Sequence, residues 1–321
     1  MRVVRGTGFG GPEVLEIAEV ADPQAGPGQV VVEVAAASIT FVETQIRRGR
    51  TPGPPLPAVP YVLGGAVAGR VLAMGDGVDL AWVGKRVVTE TSDDGGYAER
   101  ALAEVESLIP VPATVDLSSA AALLHDGSTA LGLFERAQVQ AGEWVLVEAA
   151  GGGVGSLLVQ LAVAAGARVL GAARGAGKLG HVRSLGAEAV IDYSEPDWAS
   201  QAREITDGPA VVFDGVGGSI GAEAFAITAP GGRFSIHGAA SGTVTAADPA
   251  EAERRGVTVI GLDQLMALRT GIRERAQRVL AEGAAGRLLP TIGQTFPLER
   301  AADAHAAIEN RTVTGKTLLL P

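Results

Sequence analysis

The sequence predicts an α/β protein in which a β-rich segment precedes a doubly wound parallel sheet of the Rossmann type. Three observations predict it. Residues 1–120 carry β-branched runs punctuated by Gly and Pro. From Trp144 onward, short apolar runs alternate with helical patterns, and the first of these runs ends at Gly151-Gly152-Gly153. Continuous apolar strands separated by helices require a parallel sheet covered on both faces. Right-handed crossovers then wind it doubly.

Taken in order, Met1-Arg2-Val3-Val4-Arg5-Gly6 has no hydrophobic region of signal-peptide length. The run 30–34 is dense in Val and follows the turn Gly26-Pro27-Gly28, so it reads as a strand. Runs 67–72 and 86–89 repeat that character. Prolines 52, 54, 55, 57 and 60 make 51–62 an extended or looping segment. The texture changes near residue 117, where helical stretches are expected at 117–122 and 128–137. Strands follow at 144–149, 168–172, 189–191, 210–214, 233–237 and 257–260. Helical patterns separate them at 154–165, 178–185, 198–205 and 221–229. The tail reads as helices at 265–282 and 298–309 and a strand at 317–320. The expected domains are 1–122, 123–264, and a segment 265–321 that returns to the first.

Composition narrows the function. The 321 residues are 47% hydrophobic with mean hydropathy +0.25, which excludes wholesale disorder. There is no cysteine, so thiolate zinc sites, iron–sulfur clusters, disulfides and cysteine nucleophiles are excluded. The four histidines, His125, His181, His237 and His305, are scattered, and no metal site is expected. A net charge of −10 offers no electrostatic footprint for nucleic acid or anionic lipid. The uncharged stretch 149–167 opens with three glycines and lies between strand-like and helix-like patterns, so it is not read as a membrane span. A cytoplasmic protein without nucleic-acid or membrane partners is expected.

The chemistry concentrates at 145–158, a strand, a glycine turn and an apolar helix, closed into a βαβ unit by the strand at Arg168. Gly151, Gly152, Gly153, Val154 and Gly155 let backbone approach a pyrophosphate, and the helix start supplies N–H groups and positive dipole. The spacing Ala149-x-x-Gly152-x-x-Gly155 is not the strict G-x-G-x-x-G, but its context favours a dinucleotide site over a ligand-free turn. NAD sites commonly end the second strand with Asp or Glu for the ribose 2′-hydroxyl. Here 169–178 holds no carboxylate and instead carries Arg174 and Lys178. A guanidinium and an ammonium suit a 2′-phosphate, which selects NADP(H).

With these residues in view, the chain resembles the zinc-independent quinone oxidoreductases of the medium-chain dehydrogenase/reductase superfamily, the group that includes zeta-crystallin. The resemblance runs nearly end to end. It is carried by Gly26-Pro27-Gly28-Gln29-Val30, the segment 41–49, Gly127-Ser128-Thr129-Ala130, the loop 149–155, Asp192-Tyr193, Asp214-Gly215-Val216-Gly217, Gly231-Gly232-Arg233-Phe234, and Arg311 with Thr314-Gly315-Lys316. It implies a GroES-like catalytic domain into which the Rossmann domain is inserted, and a homodimer. It also implies that Tyr193 and Arg311 lie near the adenosine phosphate end and Thr129 near the nicotinamide, with Val216, Gly238 and Ser241 lining the cofactor.

The family usually has Asn where this chain has Thr40, and often Tyr where it has Gln45 and near Thr51. Thr40 and Gln45 keep hydrogen-bonding capacity, but neither is an acid at neutral pH. His125 is the candidate proton relay, weighed against a helix-connecting histidine with satisfied bonds. His237 is a weaker candidate, whereas His181 and His305 read as structural or surface residues. Tyr61 reads as a packing residue and Glu43 as an exposed or salt-bridged carboxylate. Without a Lewis acid for an alkoxide, hydride delivery to an already electrophilic acceptor is the easier reaction. The expected function is metal-free, NADPH-dependent reduction of a quinone or other conjugated acceptor. The alternatives are a biosynthetic enoyl or enone reductase of narrow range and a non-catalytic NADPH-binding protein.

Overall fold

In the computed structural model, which describes residues 1–50, 55–92 and 95–321, the chain divides into two units, 1–125 with 276–321, and 126–275. The expected extended segment 51–62 and the Thr51 position lie partly outside the described residues.

The first unit begins with β1 (Arg2–Gly6), β2 (Leu15–Glu19), β3 (Gln29–Ile39), α1 (Phe41–Arg47), β4 (Tyr61–Val62), β5 (Ala66–Met74), β6 (Arg86–Glu90), β7 (Arg100–Glu104) and β8 (Ile109–Pro110). The chain then passes through α2 (Leu117–Ala137) into the second unit. That unit holds β9 (Trp144–Val147), α3 (Gly153–Ala164), β10 (Arg168–Ala173), α4 (Ala176–Ser184), β11 (Ala189–Asp192), α5 (Trp198–Thr206) and β12 (Val211–Asp214). It continues with α6 (Gly218–Ile227), β13 (Arg233–Ile236), α7 (Pro249–Arg255), β14 (Thr258–Ile260) and α8 (Gln264–Ala267). After α9 (Ile272–Ala284), the first unit is completed by β15 (Ile292–Pro297), α10 (Ala301–Glu309) and β16 (Lys316–Leu320).

In the first unit, β3 organises the larger sheet, whose order is β15-β16-β3-β5-β6-β8, with β7 also on β3. Residues 30–37 of β3 run antiparallel to β5, 29–33 pair with β7, and 37–39 pair with the C-terminal β16. The last strand is thereby tied to the first domain, as its separation in sequence allowed. Val30, Val32, Val87, Leu108, Tyr97 and Leu319 are almost fully enclosed in one core.

The second unit is a six-stranded sheet of order β11-β10-β9-β12-β13-β14, every pairing parallel. Leu146, Leu170, Val212 and Phe234, from four adjacent strands, are fully buried against Trp198 of α5 and Phe225 of α6. Phe225 meets Phe234 edge to face, with centroids 5.3 Å apart. The strand order reverses between β9 and β12. The crevice beyond their carboxyl ends is where such sheets bind ligands.

Two expected helical patterns resolve differently. The stretches 117–122 and 128–137 are one 21-residue helix, α2. Gly127 is buried within it, and an interior glycine costs only about 1 kcal/mol against the packing of a long apolar face. The pattern 265–282 is instead two helices, α8 and α9, interrupted before Gly271, whose φ of 78° is left-handed and stops a helix. The start of the 298–309 pattern is a 3₁₀ turn at Leu298–Arg300 before α10. Among the described residues, no helix is long and apolar enough to cross a membrane.

Candidate active site

The glycine turn lies at the carboxyl end of β9. Ala149 takes φ 48°, the Gly152 amide turns back onto the Ala149 carbonyl at 2.8 Å, and α3 begins at Gly153. A Cβ on Gly155 would stand 2.3 Å from the Ala149 carbonyl oxygen, so only glycine lets α3 start this close to the turn. Gly152 is the N-cap, and no side-chain hydrogen bond caps α3 among the described residues. The Ser156 amide bonds back to Gly152 at 2.9 Å. The earlier amides, Gly153, Val154 and Gly155, are the donors that a helix start leaves without intrahelical acceptors. With the dipole they make an end suited to an anion.

Arg174 is exposed on the turn after β10, and Lys178 is half-buried in the first turn of α4. The stem of Lys178 lies over the glycine turn: a Cβ on Gly151 would be 3.0 Å from Lys178 Cβ. A carboxylate that the second strand does not supply comes from the third. Asp192 Oδ2, at the end of β11, accepts the Gly175 amide at 2.8 Å, and Oδ1 accepts the Ser194 amide and hydroxyl. Partial burial works against its ionisation. Hydrogen bonds from Ser194 and Gly175 and the Arg174 charge outweigh that and hold its pKa below the usual value. Tyr193, next in sequence, is half-buried.

On the other side of the crevice, Val216 is buried and its carbonyl accepts the Ser241 amide at 2.8 Å. A Cβ on Gly238 would stand 2.5 Å from the Gly215 carbonyl oxygen. The loops holding Val216 and holding Gly238 and Ser241 are therefore in backbone contact. His237 follows β13 beside Gly215, and burial lowers its pKa to about 4, which leaves it neutral at physiological pH. Thr129 is half-buried on α2 in the same unit. Sequence reasoning gave no role to Glu148, or to Asp214 beyond its place in a motif; they are the buried carboxyls that follow β9 and end β12. The signal was present: each is an acid closing an otherwise apolar strand.

In the first unit, Thr40 is the N-cap of α1 and forms a capping box with Glu43. Glu43 Oε2 accepts the Thr40 amide at 2.5 Å and its hydroxyl at 2.9 Å, and Oε1 accepts the Gly65 amide at 3.2 Å. Glu43 is thus buried rather than exposed, because the cap and the Gly65 amide supply its solvation. Burial raises its pKa despite these bonds and the Lys316 charge. Gln45, half-buried, donates to Thr44 Oγ1 at 3.1 Å. His125 Nε2 lies 3.2 Å from Glu90 Oε1. Tyr61 packs at 5% exposure and donates to the Gly8 carbonyl. His305 is fully buried against the Tyr97 hydroxyl at 3.2 Å. Arg311, exposed, follows α10 with φ 57°.

A GroES-like β unit and a 3-2-1-4-5-6 parallel sheet, both in one chain, define an oxidoreductase of the medium-chain dehydrogenase/reductase class. Residues 26–113 match the alcohol dehydrogenase GroES-like domain, and 153–280 match the zinc-binding dehydrogenase family. The chain is 34% identical over 319 residues to a quinone oxidoreductase of Pseudomonas aeruginosa, covering 98% of this chain and 97% of that one. It is 34% identical over 328 residues to a 2-haloacrylate reductase of a Burkholderia species, with 97% and 96% covered. The structure of Escherichia coli quinone oxidoreductase, solved with NADPH, superposes with TM-score 0.90 at 30% identity, all of both chains covered. The chain belongs to the quinone oxidoreductase family of this superfamily.

Proposed function

We propose that the protein is an NADPH-dependent reductase that delivers hydride, without a metal, to a conjugated acceptor, either a quinone or an activated enone or alkene. The observation that carries the reading is the uncapped start of α3 at the Gly151–Gly155 turn, with the Lys178 stem over Gly151 and Arg174 exposed on the turn after β10. The α3 amides would hold the pyrophosphate, and Arg174 and Lys178 the 2′-phosphate. Tyr193 and Arg311 are assigned to the adenosine phosphate end, Val216, Gly238 and Ser241 to the cofactor lining, and Thr129 to the nicotinamide. Bound NADPH supplies the hydride.

The matched family model is described as zinc-binding, but this chain's donors do not fit zinc. It has no cysteine, and among the described residues no three His, Asp or Glu side chains cluster as a metal set. An acceptor whose negative charge spreads over a conjugated system needs no Lewis acid. Thr40 and Gln45 are assigned to substrate contacts, since neither ionises at neutral pH. His125 is assigned proton delivery: it is the titratable member of the three and has the Glu90 carboxylate to orient its ring. Two copies are assigned to a homodimer.

The relationship to a 2-haloacrylate reductase favours one narrower reading, reduction of an electron-poor alkene. The deciding experiment follows NADPH absorbance over a panel of quinones, enones and activated alkenes, with wild type and His125→Ala. Turnover with at least one class is expected, and a changed pH profile in the variant. Tight NADPH binding without turnover would replace the reading with a non-catalytic coenzyme-binding role, and an unaltered profile would remove His125 as the acid.

A further inference from the structure

The carboxyl ends of β9 and β12 bring two acids together in the interior. Glu148 follows β9 directly, its amide donates to the Phe213 carbonyl at 3.0 Å, and it is fully buried. The ladder pairs Phe213 with Val147, and Asp214, equally buried, is the next residue of the facing strand. The two differ in their partners. Asp214 Oδ1 accepts the Val216 amide at 3.0 Å and the Gly217 amide at 2.7 Å, and Oδ2 accepts the Thr245 hydroxyl at 2.5 Å. Neither oxygen of Glu148 has a well-formed hydrogen bond among the described residues; it is faced by the Val216 amide, which already donates to Asp214.

Buried acceptors without donors are rare, because each forfeits its hydration. Two carboxylates side by side in the interior repel as well. One proton removes both penalties: a carboxylic acid is a donor, and the group facing it is a carboxylate. The proton belongs on Glu148, because the Asp214 oxygens already accept from three donors and the buried Glu148 oxygens lack such bonds. The surroundings agree. Glu148 is faced by Asp214, the Val216 amide and, from α6, the Glu223 charge, all but the amide anionic or acidic. The nearby His237 is neutral, so it brings no compensating cation. Burial first, and the Asp214 charge second, push the Glu148 carboxyl well above its ordinary range.

We infer that Glu148 is a positioning residue, a neutral acid whose O–H donates to the Asp214 carboxylate and thereby sets the Gly215–Gly217 loop for the coenzyme. The mechanical link is direct. Asp214 holds the amides of Val216 and Gly217, and the Val216 carbonyl holds the Ser241 amide of the facing loop. Ionised Glu148 would turn a donor into a repelling charge next to the atom that anchors both loops. This rests on the assignment of Val216, Gly238 and Ser241 to the coenzyme lining.

The test is NADPH affinity across the pH range for wild type, Glu148→Ala and Glu148→Gln, with infrared spectra of the ligand-free protein. Glu148→Ala removes the donor, and affinity falls about tenfold. Glu148→Gln restores it, because the amide N–H donates to Asp214 without titrating. Wild-type affinity falls in alkaline solution by about tenfold per pH unit once the acid ionises, and the glutamine variant lacks that limb. The infrared carbonyl band of a neutral carboxylic acid is present in wild type and absent in Glu148→Gln. An alkaline limb that persists in Glu148→Gln, or no acid band in wild type at neutral pH, overturns the inference. An acid band that is present while affinity ignores all three residues upholds the shared proton, overturns its role in positioning, and points to the coenzyme assignment as the error.

Discussion

Helices α1 and α3 each follow a core strand, α1 after Thr40 alone and α3 after the turn 148–152, and their first turns are built in opposite ways. At α1, Thr40 and Glu43 satisfy one another, and Glu43 also takes the Gly65 amide, so that end is chemically closed. At α3, Gly152 brings no side chain, and Gly155 lets the helix start against the Ala149 carbonyl. That end is open, with its donors and dipole directed at whatever anion approaches. A protein that needs a helix only as structure spends side chains on its cap, whereas one that needs the helix start as a binding site omits them. The difference separates an end closed by its own side chains from the open end proposed for the coenzyme.

The strongest way to break the comparison is Gly155→Ala. The new methyl meets backbone, not a movable side chain, so α3 must shift away from the turn. We expect loss of measurable NADPH binding and about 1–3 kcal/mol of stability. Calorimetric titration with NADPH and chemical denaturation check both, and a variant that binds like wild type would show that the open end is not the site. Next in size is the double variant Arg174→Ala, Lys178→Ala. Charge-assisted contacts contribute about 1.5–3 kcal/mol each when shielded and less when exposed. NADPH affinity should fall about a hundredfold while NADH affinity changes little. Equal losses for the two coenzymes would remove the 2′-phosphate from these residues.

How much of this was legible depends on whether a feature is local. The parallel sheet and the open helix start were readable because apolar runs and glycines write them into consecutive residues. The capping box Thr40-x-x-Glu43 was also written locally, yet Glu43 read as an exposed or salt-bridged carboxylate, because nothing in the sequence places the Gly65 amide beside it. Helix α7 carried its own punctuation, Asp248-Pro249 at the start and Gly256 at the end, but its seven residues were too few for a clear period. What no local pattern could disclose is long-range meeting: Asp192 on the Gly175 amide, and Glu148 facing Asp214. The break at Gly271 shows the converse, a helical period carried straight through a residue that stops it.

The smallest effect is expected at the closed end. Glu43→Gln keeps the shape but turns one acceptor into a donor facing the Thr40 and Gly65 amides, at a cost of about 1 kcal/mol. Burial raises the pKa of Glu43, so the folded state binds its proton more tightly than the unfolded chain does. Between the ordinary carboxylate pKa and the raised one, the native state carries more protons, and wild-type stability falls as pH rises. A neutral amide has no such slope. The penalty of Glu43→Gln should therefore be larger near about pH 4 than near about pH 7, measured as the difference in denaturation free energy between the two proteins. A penalty that grows toward neutral pH would mean that the capping box holds Glu43 as a stabilised anion, and that the closed end is electrostatic in the same sense as the open one.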